Sequence, residues 1–133
     1  MAPSAQPGPP WLFHLADEAS GIKRKLADGI TTRIFVGDHV MLSVVRIAPH
    51  STGAVHSHPE EQWGVLLEGR CVRIQGGQEV EVEAGAFWHS PGGVPHGIRT
   101  GEVGALVLDV FSPPREAYRR GGEGFGEASP ARG

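Results

Sequence analysis

Two short stretches carrying histidines at fixed offsets constrain this chain more than anything else in it. The first runs from Val55 to Gly69, VHSHPEEQWGVLLEG. Read as a strand, it turns alternate side chains to opposite faces, so His56 and His58 point the same way and Gln62 keeps their parity. Gly69 is expected to turn the chain after Val65-Leu66-Leu67. The second stretch, GAFWHSPGGVPH from Gly85 to His96, offers a third imidazole just past a Pro/Gly turn. Brought together, His56, His58, His96 and the amide oxygen of Gln62 make a ligand set for one divalent transition metal per chain. Open positions on such an ion suit a small oxygen-bearing ligand. The chain has seven histidines, so His-x-His alone also fits a solvated strand face. Glu61 is the rival to Gln62, but its parity is opposite to that of the two histidines.

The rest of the chain reads as short strands between turns. Ile22–Leu26, Thr31–Val36, Val40–Ile47, Arg70–Ile74, Glu79–Glu83, Phe87–Ser90 and Ala105–Phe111 are the strand candidates, with a turn or one short helix near Asp17–Ser20. Gly76-Gly77 between two alternating runs is a hairpin signal. Little helix and many turns describe an all-β sandwich or barrel. At 133 residues one domain is expected, spanning 16–118. Residues 1–15 are expected to be disordered or loosely packed, with Trp11-Leu12-Phe13 as an apolar plug on the outside. Residues 119–133 read as a flexible tail.

Charge and composition exclude several partners. The net charge is −3, which gives neither a nucleic-acid footprint nor a basic membrane patch. No apolar run approaches a membrane span of ~20 residues, and the N-terminus has no signal-peptide pattern. Cys71 is the single cysteine. It reads as a buried structural thiol, in keeping with a reducing compartment and a cytoplasmic location.

The last strand carries a second clue. Asp109 is a lone carboxylate inside ALVLDVF, at the parity of Val107 and Phe111. Burying an unpaired charge is costly, so Asp109 must face a cavity, find a partner, or point to solvent. Arg115 follows Pro113-Pro114 and is either held at the mouth of the barrel or an ordinary surface arginine.

These residues carry a resemblance. The two stretches resemble the two motifs of the cupin superfamily, G-x5-H-x-H-x3,4-E-x6-G and G-x5-P-x-G-x2-H-x3-N. His56, His58, Gly69, Gly85, Pro91, Gly93 and His96 match. His50 stands where the leading Gly belongs, Gln62 replaces the Glu ligand and Thr100 replaces the closing Asn. The resemblance implies the cupin double-stranded β-barrel of jelly-roll type, and a homodimer. HSHPEEQ followed by LDVFSPPREAY is similar, more narrowly, to the small single-domain cupins of the KdgF-like pectin-degradation group, over Gly21 to Tyr118. That group converts 4,5-unsaturated uronates to linear keto forms. The resemblance implies a metal (Ni, Zn, Mn or Fe) on His56, His58, Gln62 and His96. It implies Asp109 as proton shuttle, Arg115 as the clasp for a substrate carboxylate, and Phe111 against the sugar ring. The substrate would be a small carboxylate-bearing sugar. His50, Trp63, Trp88 and His89 are positions that could reshape the pocket. The alternatives on the same ligands are a dioxygenase acting on an enol-type substrate, a β-elimination lyase, a small-molecule-binding cupin without turnover and a purely structural cupin.

Overall fold

The computed structural model of the chain describes residues 8–126. Its strands are β1 (Ile22–Ala27), β2 (Ile30–Val36), β3 (Met41–Ile47), β4 (Thr52–His56), β5 (Glu61–Gln75), β6 (Gln78–Glu83), β7 (Phe87–Ser90), β8 (His96–Arg99), β9 (Ala105–Ser112) and β10 (Gly122–Glu123). One 3-10 turn, Glu116–Arg119, follows β9. The strands pair in the order β10-β1-β2-β3-β9-β5-β8-β4, with β6 and β7 also on β5. This is the all-β jelly-roll barrel that the pattern implies. No helix among the described residues is long and apolar enough to cross a membrane.

β5 joins the two halves. Its first part, from Glu61 to Gly69, lies against β9, and Gln62–Val65 lies against β7. Its second part pairs with β6 and β8. Gly69 does not turn the chain, contrary to the sequence expectation. It continues β5 at φ +88° beside an irregularity in the β9 pairing, where a Cβ would collide with the Gly104 carbonyl. The position needs glycine for a bulge rather than a reversal.

Inward residues alternate along the strands, as a barrel requires. Ile30, Ile34, Met41, Ile47, Leu66, Val107 and Phe111 form the core with Cys71, which is 2% exposed. Burial pushes the Cys71 thiol up to about 11, the behaviour of an inert structural cysteine. The Gly76-Gly77 hairpin forms as expected, with both glycines at positive φ. β6 is almost wholly exposed, including Val80.

The two departures from the motif that touch turns are accommodated. His50 adopts φ +59°, the left-handed conformation a glycine would take. Thr100 Oγ1 donates to Ala48 O at 2.6 Å and accepts from Ser51 N at 3.0 Å, which ties the loop before β4 to the end of β8.

The ends lie against the barrel where they are described. Phe13 packs on Phe35 with ring centroids 5.0 Å apart, though Trp11, Leu12 and Phe13 are each more than half exposed. In the segment read as a flexible tail, Gly122–Glu123 adds a parallel strand to β1 and Phe125 packs on the core. The remaining residues of both end segments, 1–7 and 127–133, lie outside the described residues.

Candidate metal centre

His56 ends β4 and His96 opens β8, and the two are register partners. His58 lies past the end of β4, and Gln62 belongs to β5. The chain bends at Pro59-Glu60 between them. The shared parity read from the sequence therefore holds for a different reason: a bend, not one continuous strand, brings His58 and Gln62 face to face. Glu61 points away from the cavity and pairs with His89 at 2.7 Å on the exposed surface.

His56, His58 and His96 offer nitrogen atoms that all lie within 4.8 Å of one another. Each Nδ1 faces a backbone carbonyl two residues away: Ala54 O at 2.9 Å, Glu60 O at 3.1 Å and Val94 O at 3.0 Å. Only an Nδ1–H can donate to a carbonyl. These bonds fix the tautomer in which Nε2 keeps its lone pair, the form that ligates metals. Around His58 the consequence is acute. Its Nε2 stands 2.9 Å from Gln62 Oε1, and in this tautomer both are acceptors. A cation shared by the two removes that conflict, so the donor set fits a divalent metal.

Burial favours the neutral imidazoles that a metal needs. Desolvation, with Arg115 nearby, takes the His58 pKa down to about 4. Desolvation, then Arg73, takes His96 down to about 3. Asp109 shifts the other way: burial lifts its carboxyl to about 6, against the pull of Arg73 and Gln62.

These shifts set the acid stability of the metal-free protein. Below an unfolded value near 6.5 the unfolded chain protonates both histidines while the folded chain resists. Stability from these two groups is therefore complete above pH ~6.5 and lost as pH falls toward their folded values. Asp109 opposes them: its folded form holds a proton between pH ~4 and ~6, and that contribution is lost as pH rises through ~6. We expect the melting temperature of the metal-free protein to fall between pH 6.5 and 4.5, and to fall more steeply in Asp109→Asn. A shallower profile in that variant would contradict the assignment.

His56, Gln62, Arg73, His96, Asp109, Phe111, Arg115, Tyr118 and Phe125 line one cavity of about 40 Å³, with an apolar wall from Leu26, Ile30, Val45, Ile47, Ile98 and Val107. Asp109 Oδ1 is buried with no hydrogen-bond partner among the described residues. Gly64, its register partner on β5, leaves it room: a Cβ there would come within 2.7 Å of Oδ1 and closer still to Trp88 Nε1. The Phe111 and His58 rings meet in a T-shaped contact with centroids 5.6 Å apart. Arg115 is 2% exposed, lies over the Tyr118 ring at 4.3 Å and donates to Phe125 O. His50, Trp63, Trp88 and His89 do not line the cavity. Trp63 and His89 stack on each other outside it, with centroids 4.5 Å apart.

Three residues of the site were not singled out in the sequence. Arg73 is buried at 8% exposure, donates to Ser90 Oγ at 2.8 Å and lies beside Trp88 and Asp109. It shares the inward parity of Cys71, which was the available signal. Glu60 Oε1 lies 3.4 Å from His58 Nδ1 and 3.8 Å from Arg115 Nε, linking the histidine cluster to the arginine. Phe125 sits in a Gly-rich run that gave no pattern to read.

The model of the cupin domain matches residues 43–111. The chain belongs to the cupin family. No protein among curated sequences matches this cupin. Its structure is similar to that of KdgF from Halomonas sp., with 25% identity and a TM-score of 0.66 over 71% of this chain and 88% of that one. It is also similar to the polyketide cyclase RemF from Streptomyces resistomycificus, with 26% identity and a TM-score of 0.69 over 79% and 80%. An RmlC-like cupin from Shewanella frigidimarina shares the fold at 21% identity, with a TM-score of 0.71 over 84% and 96%.

Proposed function

We propose that this cupin opens the ring of a 4,5-unsaturated uronate, or a similar small sugar acid, and ketonises it to the linear form. The observation that carries the reading is Asp109: a carboxyl group in the same cavity as the histidine cluster, its Oδ1 unpartnered and its proton affinity raised by burial. A group that titrates near ~6 is suited to give and take protons at neutral pH.

The reaction is an isomerisation. The anomeric hydroxyl loses its proton as the C1–ring-oxygen bond breaks, and the ring oxygen keeps the electron pair as an enolate on C5. A proton added at C4 then yields the ketone. One proton leaves, one returns, and no oxidant is consumed. Asp109 takes the first as carboxylate and delivers the second. A divalent ion on His56, His58, His96 and Gln62 would supply polarisation of the substrate oxygens. These four ligands are neutral and leave the ion's charge undiminished.

Arg115 receives the substrate carboxylate, whose two oxygens match its planar fork. The guanidinium lies over the adjacent rings of Phe111 and Tyr118. Arg115→Lys keeps the charge and loses the fork. We expect KM to rise by about tenfold or more with kcat little changed, because a uniform binding contact is lost. A fall in kcat at constant KM, read from steady-state kinetics, would move Arg115 into the chemistry.

The test of the function is anaerobic turnover of unsaturated galacturonate by metal-loaded protein, with elemental analysis naming the ion. Oxygen-dependent turnover would favour the dioxygenase reading, and binding without turnover the sensory one. The apolar cavity wall favours a second reading, enol chemistry on a less polar carbon skeleton, in line with the likeness to a polyketide cyclase. A cytoplasmic location and assembly as a homodimer belong to the same proposal, the latter checked by sedimentation.

A further inference from the structure

The C-terminal segment plays no part in the reading above, yet it lies across the site. Gly122 and Glu123 run beside β1, with Lys25 opposite Glu123. The Arg24 guanidinium holds the carbonyls of Ala117, Arg120, Glu123 and Gly124 at 2.8–3.3 Å. β10 is a two-residue edge strand, and apart from Phe125 this hold is polar. Elements with few apolar contacts are the first to open.

Phe125 comes next. Its ring stacks on the His56 imidazole, with centroids 4.5 Å apart and planes at 30°. It also presses on Gly53, where a Cβ would meet Phe125 Cζ at 3.0 Å. Its carbonyl accepts a hydrogen bond from Arg115 Nη2 at 2.5 Å. The cavity beneath holds about 40 Å³, room for a few waters. Pockets for small organic ligands run to roughly 300–1,000 Å³. A six-carbon sugar acid does not fit in the cavity as it stands, with Phe125 in its lining.

We propose that Gly121–Gly126 is a gate, with the Phe125 ring closing the site over His56 and the Phe125 carbonyl occupying the Arg115 donor that an incoming carboxylate needs. The second half rests on the carboxylate role of Arg115. A carboxylate accepts from a guanidinium more strongly than a peptide carbonyl does. Its arrival releases the Phe125 carbonyl and, with it, the ring. Phe125 thereby determines specificity: ligands beyond a few atoms enter only if they carry the group that opens the gate.

Access to His56 tests this without turnover. The metal-free full chain is treated with diethyl pyrocarbonate, and carbethoxylation of His56 is followed by peptide mass spectrometry, with exposed His39 as the internal reference. Phe125→Ala should speed modification of His56 about tenfold or more. A second variant, Lys25→Cys with Glu123→Cys, keeps the proposal testable if the first does not fold. Residues directly opposed on neighbouring strands lie within disulfide reach, and buried Cys71 does not compete. The oxidised pair should slow modification of His56 by about tenfold relative to the reduced pair. Rates in the oxidised and reduced pair that agree within about twofold overturn the gate. The fate of the uronate reading is read separately. If the disulfide changes His56 access but no form converts unsaturated galacturonate, the gate stands and the substrate falls. If the oxidised form converts it as fast as the reduced form, the gate falls and the function stands.

Discussion

Asp109→Asn is expected to lower turnover of unsaturated uronates by ~10²–10⁴, the usual range for loss of a general acid–base group, and to leave metal content unchanged. Asparagine keeps the size and loses the titratable proton. The space around it is fixed: Gly64 faces it across the β5–β9 pairing, Trp88 Nε1 lies beside it, and the positive charge of Arg73 acts on it more strongly than that of Arg115. The variant therefore has little room to compensate by moving. Burial holds the wild-type carboxyl near 6, so the substitution also removes a proton that the metal-free protein binds between pH ~4 and ~6. Steady-state kinetics with metal quantified in parallel decide the matter. Full activity in Asp109→Asn would leave the histidine cluster standing and end the proton-shuttle role.

His58→Ala is expected to strip the metal. Losing a supporting hydrogen bond around a metal ligand costs roughly 10–100-fold in affinity, and loss of the ligand itself must exceed that. His58 is 4% exposed, its Nδ1–H is anchored on Glu60 O, and its Nε2 faces Gln62 Oε1. Among the described residues no neighbouring side chain replaces it: Glu60 is drawn to Arg115 and Glu61 lies outside. Elemental analysis of the purified variant, alongside circular dichroism to confirm the fold, gives the answer. A wild-type metal content would show that the three histidines are not the metal site.

How much of this was legible in the sequence follows from what each signal measures. Hairpins and core strands were readable because period-two alternation and Gly-Gly turns are local. The inward position of Asp109 was readable for the same reason, since Val107 and Phe111 flank it at matching parity and are both buried. Gly69 misled because a glycine at positive φ serves a bulge as well as a turn, and only the approach of the Gly104 carbonyl separates the two. His58 and Gln62 were paired for the wrong reason, since parity fails across the Pro59-Glu60 bend. Arg73 was overlooked although Cys71, two residues before it, already marked the inner face. Phe125 was out of reach: nothing local tells that a tail residue returns to cover a histidine far away in the chain.

The single long strand β5 has a consequence for anyone wishing to modify the molecule. Gln62 and Arg73 have opposite parity, yet both line the cavity, because the irregularity beside Gly69 shifts the alternation once between them. One further residue inserted between them would undo that shift and turn one of the two to the outside. The stretch from Gln62 to Arg73 is therefore closed to length changes. A tag, a fluorophore site or a spliced-in peptide belongs instead between Gly77 and Gln78. There a side chain on Gly77 would meet nothing within 4 Å, and the barrel would carry added sequence without shifting the site's spacing.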